Sequence, residues 1–325
     1  LEFDEGEVRR RIEEDLDGPA SLDGYRNTWH TLRREGFNVP RRAVERFKKE
    51  IDPEGCEARR RHRLKRRLYV NPGPNHCWHM DGYDKLKPYG FPIHGCIDGF
   101  SRKMLWLKVS RTNNNPFVVG QWYLETVESL GGCPMKIRTD CGTENGFVAA
   151  AHCYFLNDEK AHVYGTSPHN QRIEGWWSFF RRSRMTWWIN FFKDLMQQSV
   201  FTPGNDLEME CLWFCFVDVI QQDLDIVKDN WNTHYIRRSR HDTVSGRPDE
   251  LFLLPELHSG DDFLHHVSAE ESLYVKENLL NIEETNNEYQ EYFAYVVQDA
   301  QLRHPPRSWR EALELYHELQ LYATG

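Results

Sequence analysis

His76-Cys-Trp-His-Met-Asp81-Gly-Tyr-Asp-Lys-Leu, Met135-Lys-Ile-Arg-Thr-Asp140-Cys-Gly-Thr-Glu144-Asn145-Gly and Ser167-Pro-His-Asn170-Gln-Arg-Ile-Glu174-Gly-Trp-Trp belong to one stretch, residues 76–184, and their acids decide the reading. Asp81 and Asp140 each close a short apolar run, whereas Glu174 opens a long amphipathic segment. The first two acids are 59 positions apart, and the second and third 34. Two strand-end aspartates and a helix-borne glutamate are suitable ligands for a pair of divalent cations, which clamp the attacking and leaving oxygens of a phosphodiester. Each acid also has a plainer explanation. Asp140 before Cys-Gly-Thr suits a turn, and Glu174 suits a helix start by its charge. Asp81 is the hardest to explain away, because a carboxylate inside an apolar strand is costly unless paired or metal-bound. Asp84 and Asp98 read as turn or rim acids.

Around these acids the chain has an α/β rhythm. Strand-like runs fall at 76–84, 91–98 and 102–109, and Asp98-Gly-Phe-Ser-Arg102 predicts a hairpin turn between the last two. A helix fits 116–130, with Phe117, Trp122, Leu124 and Val127 inward and Gly131-Gly132 as its stop. Met135–Thr139 is a short fourth strand, 144–156 a helix, and His162–Tyr164 a fifth strand. The expected fold is a mixed five-stranded sheet with helices on its faces. Residues 170–198 read as one long helix whose stripe of Ile173, Trp176, Trp177, Phe180, Trp187, Trp188 and Phe191 is core. Glu174, Ser178, Arg181 and Arg182 share another face. Arg181 there suits either a DNA phosphate or an ion pair within the helix. A further helix fits 206–229. Its Cys211 and Cys215 have no His or Cys neighbours in sequence and read as buried thiols rather than a zinc site. From Asn230 a basic loop is expected, and Ser308 caps a final helix.

The composition, 39% hydrophobic and 13% aromatic over 325 residues, supports a substantial core in two or three domains. No signal peptide and no apolar run of spanning length is visible, so a soluble intracellular protein off the membrane is expected. Eight scattered cysteines suggest reduced thiols. The net charge of −9 conceals strong segregation. Residues 1–25 hold nine acids against three Arg, 26–70 hold fifteen Lys/Arg against six acids, and 251–325 hold fourteen acids against four Lys/Arg. Attraction to phosphate depends on clustered charge, so the basic segment matters more than the sum. Within it, Tyr25, Trp29 and Leu32, a Gly36 turn, and a second helix with Val44 and Phe47 inward form a helix-turn-helix pattern. Arg41, Arg42, Arg46, Lys48 and Lys49 would lie on its other faces, for DNA contact or simply for solvation. The run from Arg59, Arg60 and Arg61 to Arg67 suits phosphate contact, nuclear import or a solvated linker.

These segments resemble the retroviral-integrase-like cores shared by integrases and DDE transposases, derived from mobile elements. The match lies in the order and context of the three acids, in the Asp98 turn, and in Trp231-Asn-Thr-His-Tyr and Gly246-Arg-Pro-Asp-Glu-Leu. It covers about residues 22–255. The resemblance implies a ribonuclease-H-like fold. It makes Asp81, Asp140 and Glu174 the catalytic ligands of two Mg²⁺ or Mn²⁺ ions, with Asn170, Glu144 and Asn145 supporting. DNA contacts would come from Arg41, Arg42, Arg46, Arg59, Arg60, Arg61 and Arg181. The implied reaction is cutting and joining of DNA strands, 3′-processing and strand transfer. Its partners would be element ends, a target duplex and further copies of the chain, in the nucleus of a eukaryote. The domains expected are a basic helical segment (1–70), a catalytic core (71–200) and a helical extension with an acidic tail (201–325). Two features depart from the family. There is no paired His and Cys zinc module at the N-terminus, and a long acidic helical region stands where retroviral integrases have a small basic barrel. A domesticated, catalytically silent DNA-binding or scaffolding protein is the alternative, and a nuclease acting on RNA–DNA hybrids a third.

Overall fold

A computed structural model describes residues 3–60, 71–165, 170–238, 244–279 and 287–324. Arg61 to Arg67, the side chains of Arg59 and Arg60, Ser167-Pro-His169, and residues 239–243 of the expected basic loop lie outside the described residues.

The core is a sheet of β1 (Trp78–Tyr83), β2 (Ile93–Asp98), β3 (Met104–Val109), β4 (Ile137–Thr139) and β5 (His162–Tyr164), in the order β3-β2-β1-β4-β5. The first three strands pair antiparallel, and β4 and β5 run parallel to β1. Alternation assigns the faces. Trp78, Met80, Cys96 and Trp106 pack on one side against α5 (Pro116–Leu130) and α6 (Gly146–Leu156). Ile93, Ile97 and Leu107 face the other side, toward α7 (Gln171–Phe180), α8 (Thr186–Gln197) and α9 (Asp206–Thr233). Helix α5 starts where expected, with the Asn115 side chain accepting from Phe117 N–H, and ends at left-handed Gly131. The Asp98 turn also forms, but its acid is fully buried rather than on a rim. It accepts from the N–H groups of Asn75, Phe100 and Ser101 and from the Ser101 hydroxyl, so its lone pairs are used inside the fold.

Residues 170–198 are not one uniform helix. A π-helical turn, Arg181–Met185, separates α7 from α8 and carries Arg184 into the interior, 2.8 Å from Asp223 and 3.4 Å from Asp23. Such a turn rotates everything beyond it, so a strict i, i+7 row from Glu174 through Arg181 is not kept. The aromatic stripe is core as expected: Ile173, Trp176, Trp177, Phe180 and Trp188 are buried, while Trp187 and Phe191 pack on Trp309.

The expected loop from Asn230 is still helix, because the end of α9 is gripped by the sheet. Asn232 accepts from Met104 N–H at 2.8 Å and donates to Met104 C=O at 2.9 Å, and the Trp231 indole donates to Arg102 C=O. Cys211 and Cys215 are buried free thiols. At the N-terminus α1 (Glu5–Leu16), α2 (Tyr25–Arg34) and α3 (Arg41–Ile51) surround Val8, Ile12, Leu32, Val39, Val44 and Phe47, with Gly36 left-handed in the turn; α4 (Pro53–Arg60) follows. Lys48, expected on the outer faces of α3, is fully buried, since it lies one turn beyond Val44 on the packed side. The C-terminal part adds α10 (Pro248–Leu253), α11 (Ala269–Leu279), α12 (Glu288–Asp299) and α13 (Trp309–Thr324), the last capped by Ser308. Phe293, Leu315 and Tyr316 join the same apolar cluster as Trp176 and Phe216. A pairing of residues 132–133 with 265–266 was not legible beforehand. Among the described residues no helix is long and apolar enough to cross a membrane.

Candidate active site

Register brings the two aspartates together. In the parallel β1–β4 pair Trp78 lies beside Ile137 and His79 beside Arg138, so the same offset sets Asp81 level with Asp140, just past the end of β4. Both are half-buried. The Asn145 side-chain amide donates to Asp140 Oδ1 at 3.2 Å and to Glu144 Oε1 at 3.3 Å, which ties the expected supporting pair to the second acid. Burial, then the charges of Asp140 and Asp84, push the Glu144 carboxyl above its ordinary range.

Glu174 arrives on the first turn of α7, and its N–H bonds the Asn170 carbonyl at 3.2 Å. Asn170 is anchored to β1. Its Nδ2 donates to Met80 C=O at 2.8 Å, and its Oδ1 lies 2.7 Å from His79 Nδ1. Because Nδ2 is used as donor, Oδ1 must accept, which puts the hydrogen of His79 on Nδ1. Burial keeps that imidazole neutral, pulling its pKa down to about 3. On the far side of Glu174 the Trp177 indole N–H donates to Asp81 Oδ2 at 2.9 Å.

The three carboxylates share one electrostatic field. Burial first, and then the charges of Glu174 and Asp140, push the Asp81 pKa up to about 7, against the hydrogen bonds from Trp177 and the Gly82 N–H. Hard oxygen donors of this kind suit Mg²⁺ or Mn²⁺. Among the described residues no group of three or more His, Cys, Asp or Glu is gathered closely enough to hold a metal ion, so the set is open rather than a closed cage.

The rim is mixed. Asp84 is exposed, as expected, and bonds Asn113 at 2.7 Å and Lys87 at 3.4 Å. Arg181 is exposed and close enough to oppose, by its charge, the rise that burial gives the Tyr83 hydroxyl, to about 12. On α3, Arg41 and Arg42 are exposed; Arg46 already pairs with Glu5 at 3.4 Å and Glu50 at 3.8 Å. Sequence reasoning missed His79, Trp177 and Gly95. A lone glycine inside the β2 run was the available signal, since such glycines mark close approach of another group.

An antiparallel hairpin extended by two parallel strands, helices on both faces, acids at adjacent strand ends and a third on α7 define the ribonuclease-H-like class of core. The family described as Integrase core domain matches residues 68–259, more than half of the chain, and the chain belongs to it. It is similar to the HTLV-2 integrase catalytic core domain in complex with magnesium, in a trimeric form. That likeness has 18% identity and a TM-score of 0.30, covering 56% of this chain and 99% of that one. It is also similar to the simian T-cell lymphotropic virus intasome in complex with the PP2A regulatory subunit B56 gamma. There the identity is 16% and the TM-score 0.35, over 78% of this chain and 79% of that one. No curated protein matches.

Proposed function

We propose that this chain is a divalent-cation-dependent DNA strand transferase, acting as an oligomer on the ends of a mobile element and on a target duplex. The observation that carries this reading is the mutual repulsion of Asp81, Asp140 and Glu174 at one edge of the sheet, which raises Asp81 to about 7. Carboxylates that repel one another are stabilised by a cation shared between them. Asp81, Asp140 and Glu174 would hold Mg²⁺ or Mn²⁺, which when bound lowers the pKa of a water or 3′-hydroxyl and neutralises the phosphoryl charge. The chain's own part is placement. Asn145 orients Asp140, Asn170 fixes the start of the helix carrying Glu174, and exposed Arg181 lies where a phosphate is retained by charge. Arg41 and Arg42 on α3 and the basic run around Arg59, Arg60 and Arg61 would supply the sequence-independent attraction to duplex.

End-labelled duplex incubated with the protein and Mn²⁺ tests this. Wild type is expected to form strand-transfer products that disappear in Asp140→Asn and Glu174→Gln; products unchanged in both variants refute the enzyme. The open set of acids also favours a second reading, a catalytically silent DNA-binding protein that keeps the fold. That reading predicts duplex binding with no product from wild type at any Mn²⁺ concentration.

A further inference from the structure

We propose that Trp177 is a positioning residue of this site: it holds Asp81 by Oδ2, leaves Oδ1 as the oxygen offered to a divalent cation, and sets the separation between Asp81 and the helix that carries Glu174. The proposal rests on the reading of Asp81 as a cation ligand. The indole Nε1 is 2.9 Å from Oδ2, and an N–H aimed at an ionised oxygen is a charge-assisted bond that fixes the carboxylate plane. A freely rotating aspartate would present either oxygen, or both. One tied at Oδ2 presents the other.

The ring is seated for this purpose by the strand beside it. In the β1–β2 ladder Asp81 faces Gly95, and a Cβ built on Gly95 would stand 2.9 Å from Trp177 Cη2 and 3.3 Å from Cζ2. No other residue at 95 leaves room for the indole in this position. Tyr83, Phe180 and Trp176 close in from the remaining sides, with ring centroids 5.1, 5.6 and 5.1 Å away. The indole is therefore held in one orientation by packing, and its N–H points at the carboxylate without further loss of rotamer freedom.

Trp177 also lies one turn beyond Glu174, on the opposite side of it from Asn170. Asn170 fastens α7 to β1 at Met80, and Trp177 fastens it at Asp81. The turn that bears Glu174 is thus tied to the strand that bears Asp81 at both of its ends. Outer-shell partners of metal ligands act in this way, by orienting the ligand before the ion arrives.

Mn²⁺ binding to the full chain, followed by the electron paramagnetic resonance of the free ion, tests the proposal without any DNA. Trp177→Phe keeps the ring and removes the N–H. It is expected to weaken Mn²⁺ binding about 10- to 100-fold, the usual effect of losing an outer-shell partner, while the thermal midpoint stays near wild type. Gly95→Ala keeps the N–H and displaces the ring, so it should weaken binding in the same direction. The double variant should bind no more weakly than Trp177→Phe alone, because both act on one contact. Trp177→Phe binding as tightly as wild type, or tighter, while Asp81→Asn does not bind, overturns the role of Trp177 and leaves the site intact. Asp81→Asn binding as wild type does instead refutes the reading of the site. If Trp177→Phe does not fold, Gly95→Ala decides: unchanged affinity overturns the proposal.

Discussion

Asp81 holds its proton far more tightly than an aspartate in water, because it is half-buried and faces two other acids. The consequence for stability has a definite sign. A carboxyl whose pKa rises from 3.8 in the unfolded chain to about 7 in the folded one contributes stability that is fully present below pH 3.8 and is lost as pH rises through 7. At pH 8 the fold bears an uncompensated charge. Asp81→Asn is therefore expected to be more stable than wild type at pH 8 by about 1–3 kcal/mol, a gain that shrinks as pH falls and vanishes near pH 4. Urea unfolding at a series of pH values measures it, and a difference that does not change with pH refutes the assignment of the strain to Asp81. The same acid that destabilises the fold is the one placed to gain most from a bound cation, which is a common trade at functional sites.

At the scale of elements, the end of α9 shows how a recognisable motif hides its structural role. Trp231-Asn232 stands out in the sequence, yet the segment reads as loop because polar and basic residues follow it. Its actual role is to satisfy the backbone of β3, since Asn232 takes both the N–H and the C=O of Met104. Asn232→Ala leaves two buried backbone groups unpaired and should destabilise the protein by about 2–4 kcal/mol. The denaturation midpoint should fall without a change in the denaturant slope. A loss below about 0.5 kcal/mol would mean that other groups or water replace the amide. The strands and α5 were legible because their signals are local: alternation at Trp78 and Met80, the Asp98-Gly turn, and Asn115-Pro116 with Gly131 at the two helix ends. The order of Asp81, Asp140 and Glu174 was legible too. Trp177 was read only as core, because periodicity reports that a ring is buried and not where its N–H points. The π-helical turn was not legible either, because what accompanies it, the pairing of Arg184 with Asp23 and Asp223, joins residues far apart in the chain. The two-residue pairing of 132–133 with 265–266 is too short to carry a pattern.

Across the whole molecule, Arg184 is where the N-terminal helices and the catalytic core meet. It is buried in the π-helical turn and reaches Asp223 on α9 and Asp23, which leads into α2; the Trp188 indole also donates to Asp223 at 2.9 Å. Around it the same junction is stitched by Arg34 to Asn230 and by His30 to Thr233. The helices expected to read DNA are thus fastened to the long helix that packs on the sheet. Two buried acids around one arginine leave excess negative charge, and Asp23 shows it: burial pushes its pKa up to about 6 although Arg184 opposes the rise. Removing one partner of a buried ion pair strands the other, which typically costs about 3–5 kcal/mol. Arg184→Ala should therefore destabilise the protein by about that amount at pH 8. The loss should be smaller at pH 5, because Asp23 already ionises reluctantly and can take up a proton once its arginine is gone. Arg184→Met combined with Asp23→Asn and Asp223→Asn should recover most of the stability, since no charge is then left buried. Urea denaturation of the full chain at both pH values measures each case. If Arg184→Ala unfolds at the wild-type midpoint, the N-terminal helices are held to the core by packing alone.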